Sequence, residues 1–334
     1  MAWYNEKGKN DETVLATRVR LARNLADYPF TGRLSSAGAT EIIEKVKAAL
    51  PEYGSVSFST LTPVEARSYV ERHYVSPMFI DRRLPRALLT GEGERVQIMV
   101  CEEDHLRIQS VIAGFDPQSA FDAACKADEQ ICSKLKIAFD AELGYLTACP
   151  TNLGNAMRVS AMMFLPALTL QGRIDSLANS LNKLGMTVRG MYGEGSRAEG
   201  YIYQISNSGS LGISENDIIK NFTEVISRIS DMEEKAREAL LDTDRDRLTD
   251  RVCRSLGILK SAYMLSSEEL LQRIADIRLG SALRLIETVE NAKLTELTVA
   301  AQPATVSLTA EGLDDGTARD KARARLVKAV LSVE

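Results

Sequence analysis

Two groups of residues in this chain sit where a fold has little use for them. One is the run Cys101-Glu102-Glu103-Asp104-His105-Leu106-Arg107-Ile108-Gln109, in which three acids, a histidine and an arginine separate the apolar runs 96–100 and 108–112. The other is a set of five arginines, Arg18, Arg20, Arg107, Arg158 and Arg189, each next to a strand end, a turn or a glycine. A planar guanidinium binds phosphate oxygens bidentately and stays charged at any working pH. The chain has no GxxxxGK[ST] loop and no GxGxxG followed by an HRD segment, so a nucleoside triphosphate would have to be held by side chains. Phosphoryl transfer asks mainly for positioning and charge stabilisation, which an arginine cage supplies. Carboxylates beside such a cage would repel phosphate, so they make sense facing a cationic acceptor. A guanidinium acceptor fits, and because its pKa lies above about 12, two acids are needed to orient it and help remove a proton. Glu103 and Glu194 are the candidates. Plainer readings stand beside these: a solvated acidic turn, an exposed strand edge made soluble by Arg18 and Arg20, and ordinary turn chemistry for Cys149, Thr151 and Asn152.

Composition narrows the field. The chain has 334 residues, 45% of them apolar and 26% charged, which fits one large domain or two ordinary ones with ample core. A net charge of −5 argues against a general nucleic-acid or membrane-binding surface, so an arginine cluster must be local. Residues 1–10 are polar, with none of the apolar centre of a signal peptide, and no run reaches the roughly 18 apolar residues of a membrane helix. With five cysteines, an odd number and no CxxC pair, the expectation is reduced thiols in the cytoplasm. Only two histidines, His73 and His105, speak against a structural zinc site.

The elements that must position these groups follow from periodicity. A strand around 13–24 would put Arg18 and Arg20 on one face. Strands are expected at 96–100, 108–112, 145–148 and 201–205, so the acids fall at a strand end, where at most two of Glu102, Glu103 and Asp104 can point into one cleft. Helices are expected at 40–50, at 63–73 with Thr62 as cap and Pro63 first, and at 119–138. Further helices are expected at 159–165 just after Arg158, and at 177–185. His73 would end its helix, where the dipole favours a histidine. Cys125 and Cys132 would share one helix face as buried small apolar residues. Residues 76–94 read as loop, and the three glycines within 190–195 as a flexible loop beginning near 187 or as a close backbone approach to a ligand. From 214 the pattern turns helical, at 215–241, 244–259 and 267–286, broken by a short strand-like run at 297–299 and closed by a basic helix opening at Gly316. The expected division is a mixed domain over 1–235 and a helical one over 236–334.

Four segments, Ala-Thr-Arg-Val-Arg-Leu-Ala-Arg-Asn, Cys-Glu-Glu-Asp-His-Leu-Arg-Ile-Gln, Gly-Tyr-Leu-Thr-Ala-Cys-Pro-Thr-Asn-Leu-Gly and Arg-Gly-Met-Tyr-Gly-Glu-Gly, resemble the catalytic domain of the guanidino (phosphagen) kinases. The segment Arg319-Asp320-Lys321-Ala322-Arg323-Ala324 fits an RDxxRA motif and brings the chain closer to the bacterial protein arginine kinases of that superfamily. The resemblance runs in order over roughly residues 13–330. It implies an α+β fold, an antiparallel β-sheet flanked by helices, followed by a smaller all-helical C-terminal domain. It implies ATP and Mg2+, with Arg18, Arg20, Arg107, Arg158 and Arg189 on the phosphates. Nucleotide contacts would extend over Ala16, Thr17 and Val19, over Val159, Ser160, Ala161 and Met162, and over Gly190, Met191, Tyr192, Gly193 and Glu194, with His73 nearby. Glu103 would be the base, Glu194 the second acid, and Glu102 would act on magnesium through water. Cys149 would lie against the guanidinium as a perturbed thiolate, and Arg319, Asp320, Arg323 and Ala324 would form a phosphoarginine pocket. Creatine and arginine kinases carry an all-helical domain ahead of the first motif, where this chain has about a dozen residues; that implies an acceptor side open to a protein's arginine. Partners implied are substrate proteins with exposed arginines, an activator protein, a transcription repressor and a Clp-type chaperone–protease in the stress response, with a homo-oligomeric state. The competing readings are a phosphoarginine-binding adaptor with an inert catalytic domain and a kinase of a free guanidino metabolite. Cys101 stands where the family usually has Asn, and Asn155 where Thr or Ser is common.

Overall fold

The computed structural model describes residues 2–80, 83–190, 199–287, 289–309 and 315–332. Its strands are β1 (Val14–Arg23), β2 (Gly54–Ser57), β3 (Ala87–Thr90), β4 (Val96–Val100), β5 (Leu106–Ala113), β6 (Phe139–Asp140), β7 (Gly144–Tyr145), β8 (Met157–Phe164), β9 (Met186–Gly190) and β10 (Ile202–Asn207). Eight form one sheet in the order β2-β3-β4-β5-β1-β8-β10-β9, every pairing antiparallel, while β6 and β7 make a separate hairpin. The helices are α1 (Ser36–Ala49), α2 (Pro63–Glu71), α3 (Pro117–Cys132), α4 (Pro166–Leu170), α5 (Ile174–Lys183), α6 (Glu215–Ser261), α7 (Ser267–Ala282), α8 (Asn291–Ala300), α9 (Pro303–Thr309) and α10 (Gly316–Ser332). The expected antiparallel sheet flanked by helices is what the chain forms.

The two faces of the sheet differ in kind. Val19, Leu21, Ile98, Ile108, Val159, Ala161 and Ile205 point to one side and pack against Ile42 and Val46 of α1, Ala124 and Ile131 of α3 and Phe222 and Ile226 of α6. Burial of such side chains contributes roughly 1.5–3 kcal/mol each, making this face the main source of stability. The opposite face is apolar only in part: Ala16, Leu88, Met99 and Val111 meet Trp3, Val70, Tyr74 and Phe79. Arg18 and Arg20 occupy that second face, and β1 lies between β5 and β8 rather than at an edge, so they do not solubilise an exposed strand. Arg23, of opposite parity, turns into the first face, where Asp128 accepts from its Nη2 at 2.7 Å and its guanidinium stacks on Tyr145.

Several expectations are corrected. The apolar run after Arg158 is strand β8, not a helix; β1 and β10 pair on its two sides and most of its side chains are buried, so it reads as a near-continuous apolar run. Residues 187–190 belong to edge strand β9, and the expected loop at 76–94 contains β3, too short at four residues to show alternation. Residues 297–299 lie in helix α8, where Leu294 and Leu297 share the helical spacing that packs them into the C-terminal core. Helix α2 begins at the expected Thr62 cap, which forms a capping box with Glu65, but ends at Glu71; His73 lies beyond it with φ 62°, buried, so the dipole does not account for it. Helix α3 stops at Cys132, which is exposed, while Cys125 is half-buried.

Helix α6 spans both expected helices without a loop, with non-helical backbone at Asp244. Beyond it, Leu259, Ile274, Ile277, Leu297 and Val327 form a separate core among α6, α7, α8 and α10. Glu71, at the end of α2, clasps this helical part to the sheet: its carboxylate accepts from the Ala304 and Thr305 backbone N–H groups at 2.9 and 2.7 Å, capping α9.

Candidate active site

Strand register alone brings the five arginines together. Arg20 is opposite Arg158 on one side and Gln109 on the other, Arg18 is opposite Ser160, and Ala22 is opposite Arg107. Gln204 is opposite both Met162 and Arg189. Directly opposed residues of an antiparallel pair share a face. Arg107, Arg20, Arg158, Arg18 and Arg189 therefore step diagonally across one face from β5 to β9. Of the other positions expected to touch nucleotide, Ala16, Ser160 and Met162 share that face, whereas Val19, Val159 and Ala161 lie in the apolar core on the other side. Thr17 is also buried, its hydroxyl donating to the Gly114 carbonyl at 2.6 Å. Gly190 closes β9. Met191, Tyr192, Gly193 and Glu194 lie outside the described residues.

Crowding so many cations has an electrostatic consequence. Burial lowers the pKa of Arg18 to about 9, with Arg107 and Arg158 adding to the effect, and lowers that of Arg20 further below its ordinary value. His73 sits beside this cluster. Gln109, in register with Arg20, donates from Nε2 to the His73 and Tyr74 carbonyls, both at 3.0 Å, and to Gln97 Oε1 at 3.0 Å. Burial and then Arg18 push the imidazole down to about 3, so it is neutral. The Asn207 side chain pins the strand beside Arg158, accepting from the Val159 N–H at 2.8 Å, while Arg158 Nε donates to the Asn207 carbonyl at 3.3 Å.

The acidic turn joins β4 to β5 at the Arg107 end of the diagonal, and its three acids go three ways. Glu102 is buried and pairs with Arg107 while accepting from the Ser76 hydroxyl. Burial works against its charge, but Arg107, Ser76 and Arg20 together hold the carboxyl below the usual range. Asp104 is also buried, accepting from Asn24 Nδ2 at 2.6 Å and from the Ala148 N–H at 2.7 Å. Only Glu103 is exposed. Partial burial and the neighbouring Asp104 raise its carboxyl pKa, against the pull of Arg107. His105 is structural: its Nδ1 accepts from the Leu25 N–H at 3.0 Å and its Nε2 donates to the Pro29 carbonyl at 2.9 Å.

Cys149 is brought to this turn by Asp104, which holds the preceding residue, Ala148. Its Sγ lies 3.0 Å from the Thr151 hydroxyl. The loop carrying it is pinched shut by Gly144 and Gly154, both at positive φ; a Cβ on Gly144 would lie 2.4 Å from the Gly154 carbonyl oxygen, and one on Gly154 would lie 2.5 Å from that of Ser210. Asp104 thus positions Cys149 relative to Glu103. Asp104→Ala would remove the acceptor that the Asn24 side chain and the Ala148 N–H share, at about 1–3 kcal/mol in all, since Asn24 keeps the Leu146 carbonyl and Ala148 is exposed. The expected result is a lower urea midpoint and a lower kcat, with the KM for nucleotide unchanged.

Cys101 opens the turn at φ 64°, in the left-handed region that Asn tolerates better than other non-glycine residues. That accounts physically for the usual Asn there. Here the thiol is fully buried, 3.9 Å from the Ala39 carbonyl, and burial pushes it up to about 12. Iodoacetamide at pH 8 should leave Cys101 unmodified while exposed Cys253 reacts, as peptide mapping by mass spectrometry would show. Asn155, the second departure, is structural, donating to the Ile213 carbonyl at 3.0 Å and accepting from the Met157 N–H at 3.0 Å.

The Arg319-Asp320 end of the last motif opens helix α10. Arg319 lines a cavity of about 580 Å3 with Arg67, Glu71, Ser267, Gln302 and Ser307. Arg323 points inward instead and is 1% exposed; it donates to the Ala301 and Leu265 carbonyls, both at 2.7 Å, and pairs with Asp320 at 2.5 Å. Ala324 packs in the C-terminal core. The residues that sequence reasoning missed are Thr31, which donates to the Glu103 carbonyl, together with Ser76, Gln97 and Asn207. None lies in a charged or glycine-rich cluster, so nothing local singles them out; Asn24 and Gln109 lay inside conspicuous motifs.

A family model for the ATP:guanido phosphotransferase C-terminal catalytic domain matches residues 37–236. The chain belongs to the ATP:guanido phosphotransferase family. A second model, for the protein-arginine kinase McsB C-terminal domain, matches residues 245–334 of this guanido phosphotransferase. The chain is 41% identical to the protein-arginine kinase of Symbiobacterium thermophilum, covering 99% of this chain and 96% of that protein. It is 40% identical to the protein-arginine kinase of Geobacillus stearothermophilus, covering 100% and 94%. Among solved structures it shares its fold with the duplicated taurocyamine kinase of Schistosoma mansoni, at a TM-score of 0.62 and 23% identity over 72% of this chain and 36% of that one. Lombricine kinase gives a TM-score of 0.60 at 21% identity, covering 68% of each chain.

Proposed function

We propose that this guanido phosphotransferase is an ATP-dependent protein arginine kinase, transferring the γ-phosphoryl group of ATP to the guanidinium of arginine residues in proteins. The observation that carries the reading is the diagonal of five arginines ending at an acidic turn with one exposed carboxylate. The triphosphate would lie along the diagonal with its γ end toward Arg107, where its charge relieves the repulsion among the buried cations. Glu103 would take the acceptor proton, with Glu194 as second acid and Cys149 against the guanidinium; Glu102 would keep Arg107 oriented.

Magnesium fits as a passenger of the nucleotide. Both Glu102 oxygens already accept a hydrogen bond, and among the described residues no cluster of three or more His, Cys, Asp or Glu could hold a metal. An ion bound mainly by phosphates, with Glu102 reaching its water shell, matches magnesium's preference for retained water. When bound, it would neutralise phosphate charge.

We divide the labour between a catalytic part, residues 1–235, and a helical part, residues 236–334. In the latter, Arg319 would face a phosphoarginine ligand while Arg323, with Asp320, holds the helix in place. The similarity to named protein-arginine kinases supports protein substrates, and the family resemblance extends the proposal to an activator, a repressor and Clp-type partners and to a homo-oligomer. Five unpaired cysteines favour the cytoplasm. Among the described residues no helix is long and apolar enough to cross a membrane. The test is incubation with ATP and an arginine-rich protein, followed by mass spectrometry under conditions that avoid acid. Phosphoarginine is expected; its absence, or phosphate appearing only on free arginine, would overturn the reading.

A further inference from the structure

Glu103 stands at the tip of the acidic turn, where the chain bends back between β4 and β5. The Cys101 N–H donates to the His105 carbonyl at 2.8 Å and the Glu102 N–H to the Asp104 carbonyl at 3.1 Å, so the two legs are tied to each other below the tip. The carboxylates of Glu102 and Asp104 are held a second time, by Arg107 and Ser76 and by Asn24 and the Ala148 N–H. Glu103 has neither kind of tie. Among the described residues its one hydrogen bond is at its own carbonyl, which accepts from the hydroxyl of Thr31, 72 positions earlier in the chain.

The segment that delivers Thr31 is built against the same turn. Asn24 Oδ1 accepts from the His105 N–H at 2.9 Å, and the Leu25 N–H donates to His105 Nδ1 at 3.0 Å. The Tyr28 ring meets the imidazole edge-on at 6.3 Å and 88°, and the Pro29 carbonyl accepts from Nε2 at 2.9 Å. Thr31, half-buried, then opens a single 3-10 turn, Thr31–Arg33. Its far side is fixed in turn, because the Leu34 N–H donates to the Thr31 carbonyl at 3.2 Å and the Leu34 side chain enters the main core. The hydroxyl that reaches Glu103 therefore comes from a segment anchored before and after it.

We propose that Thr31 is a positioning residue for Glu103: its hydroxyl fixes the carbonyl at the tip of the turn and so sets the direction in which the carboxylate meets the acceptor guanidinium. The inference rests on the reading of Glu103 as the base. A general base works within about 2.6–3.2 Å of the group whose proton it takes, and a displacement of about 1 Å can cost about 10²-fold in rate. A peptide plane at a loop tip rocks as a unit. Holding its oxygen fixes the Glu103 Cα–Cβ direction, and the torsions beyond it fall into a few staggered wells. Glu102 and Asp104 can be held by their carboxylates because they do not react. Glu103 must keep its carboxylate unbound for the acceptor, so the restraint has to fall on its backbone.

The test uses the full-length protein with an arginine-rich protein substrate. Thr31→Val keeps the shape of the side chain and removes the hydroxyl, whereas Thr31→Ser keeps the hydroxyl. In Thr31→Val, kcat should fall about 10- to 100-fold with the KM for ATP unchanged, and Thr31→Ser should recover most of the loss. Because the effect passes through Glu103, the two sites should be non-additive: in a Glu103→Gln background, Thr31→Val should cost nothing further. Hydrogen exchange over residues 101–106, read by mass spectrometry without nucleotide, should quicken in Thr31→Val and return to the wild-type rate in Thr31→Ser. Thr31→Ala provides the same deletion without a branched side chain if Thr31→Val folds poorly. Unchanged kcat, unchanged exchange, or the full rate loss repeated in the Glu103→Gln background would overturn the positioning role. Turnover retained by Glu103→Gln would instead overturn the base reading beneath it; an inactive Glu103→Gln beside a fully active Thr31→Val would overturn the role of Thr31 alone.

Discussion

Glu103→Gln is expected to lower kcat by about 10²- to 10⁴-fold, the range typical for loss of a positioned general base, while nucleotide binding stays near the wild-type level. The substitution keeps the size of the side chain and removes only its basicity. The other two acids cannot take over: Glu102 is engaged by Arg107 and Ser76, and Asp104 by Asn24 and the Ala148 N–H. The pH profile provides a second signature. Because the Glu103 carboxyl is raised, kcat/KM should fall as the medium is acidified through a value above the ordinary Glu pKa of about 4.3. Neither histidine accounts for that limb. His73 is pushed down to about 3 and stays neutral over the working range, and burial lowers His105 as well. Replacing His73 by Gln should leave the acid limb in place, and Glu103→Gln should remove it. Turnover above a tenth of wild type in Glu103→Gln would end the assignment.

Arg20→Met should make the empty protein more stable while abolishing its response to nucleotide. Arg20 is directly opposite Arg158 in the sheet and shares a face with Arg18 and Arg107. Its folded pKa, like that of Arg18, lies below the unfolded value. For a cation, that means the charged form is disfavoured in the fold. The penalty is present wherever the folded group is charged and fades as pH rises beyond the folded value. Removing one of the opposed charges should recover up to about 1 kcal/mol, a rise of about 2–4 °C in Tm at most for a chain of this size. Wild-type protein with ATP at 100-fold its Kd should gain about 2.7 kcal/mol, and the variant should gain almost none. Loss of one phosphate-clamping arginine should also lower kcat/KM by about 10³-fold, at the low end for an arginine acting on a transferring phosphoryl group. Thermal scans in anion-free buffer, with and without ATP, check both halves. A less stable variant that still responds to ATP would contradict the account of the cage. Function here is purchased with stability, as is common at charged sites.

The amino-acid order alone determined the residue types of the site and much of the scaffold. Two arginines at spacing two must share a strand face, whatever the strand packs against, and Val96–Val100 and β5 were legible from their β-branched residues. Helix α2 announced its start through Thr62 and Pro63, because capping is local chemistry. Long-range pairing was not legible. The run after Arg158 has a composition that suits either a buried helix or a buried strand, and only the presence of β1 and β10 on both sides makes it a strand.

The same limit applies to the site. Sequence placed Glu102, Glu103 and Asp104 together but could not divide their work. That division depends on Arg107, Ser76, Asn24 and Ala148, the last two some 80 and 44 residues from Asp104, which consume two of the three carboxylates and leave Glu103 exposed. Likewise Arg319 and Arg323 belong to one motif, yet a single turn of helix turns one to a cavity and the other into the core. Local chemistry is written in neighbours along the chain; which groups remain available for reaction is decided by distant segments that satisfy the rest.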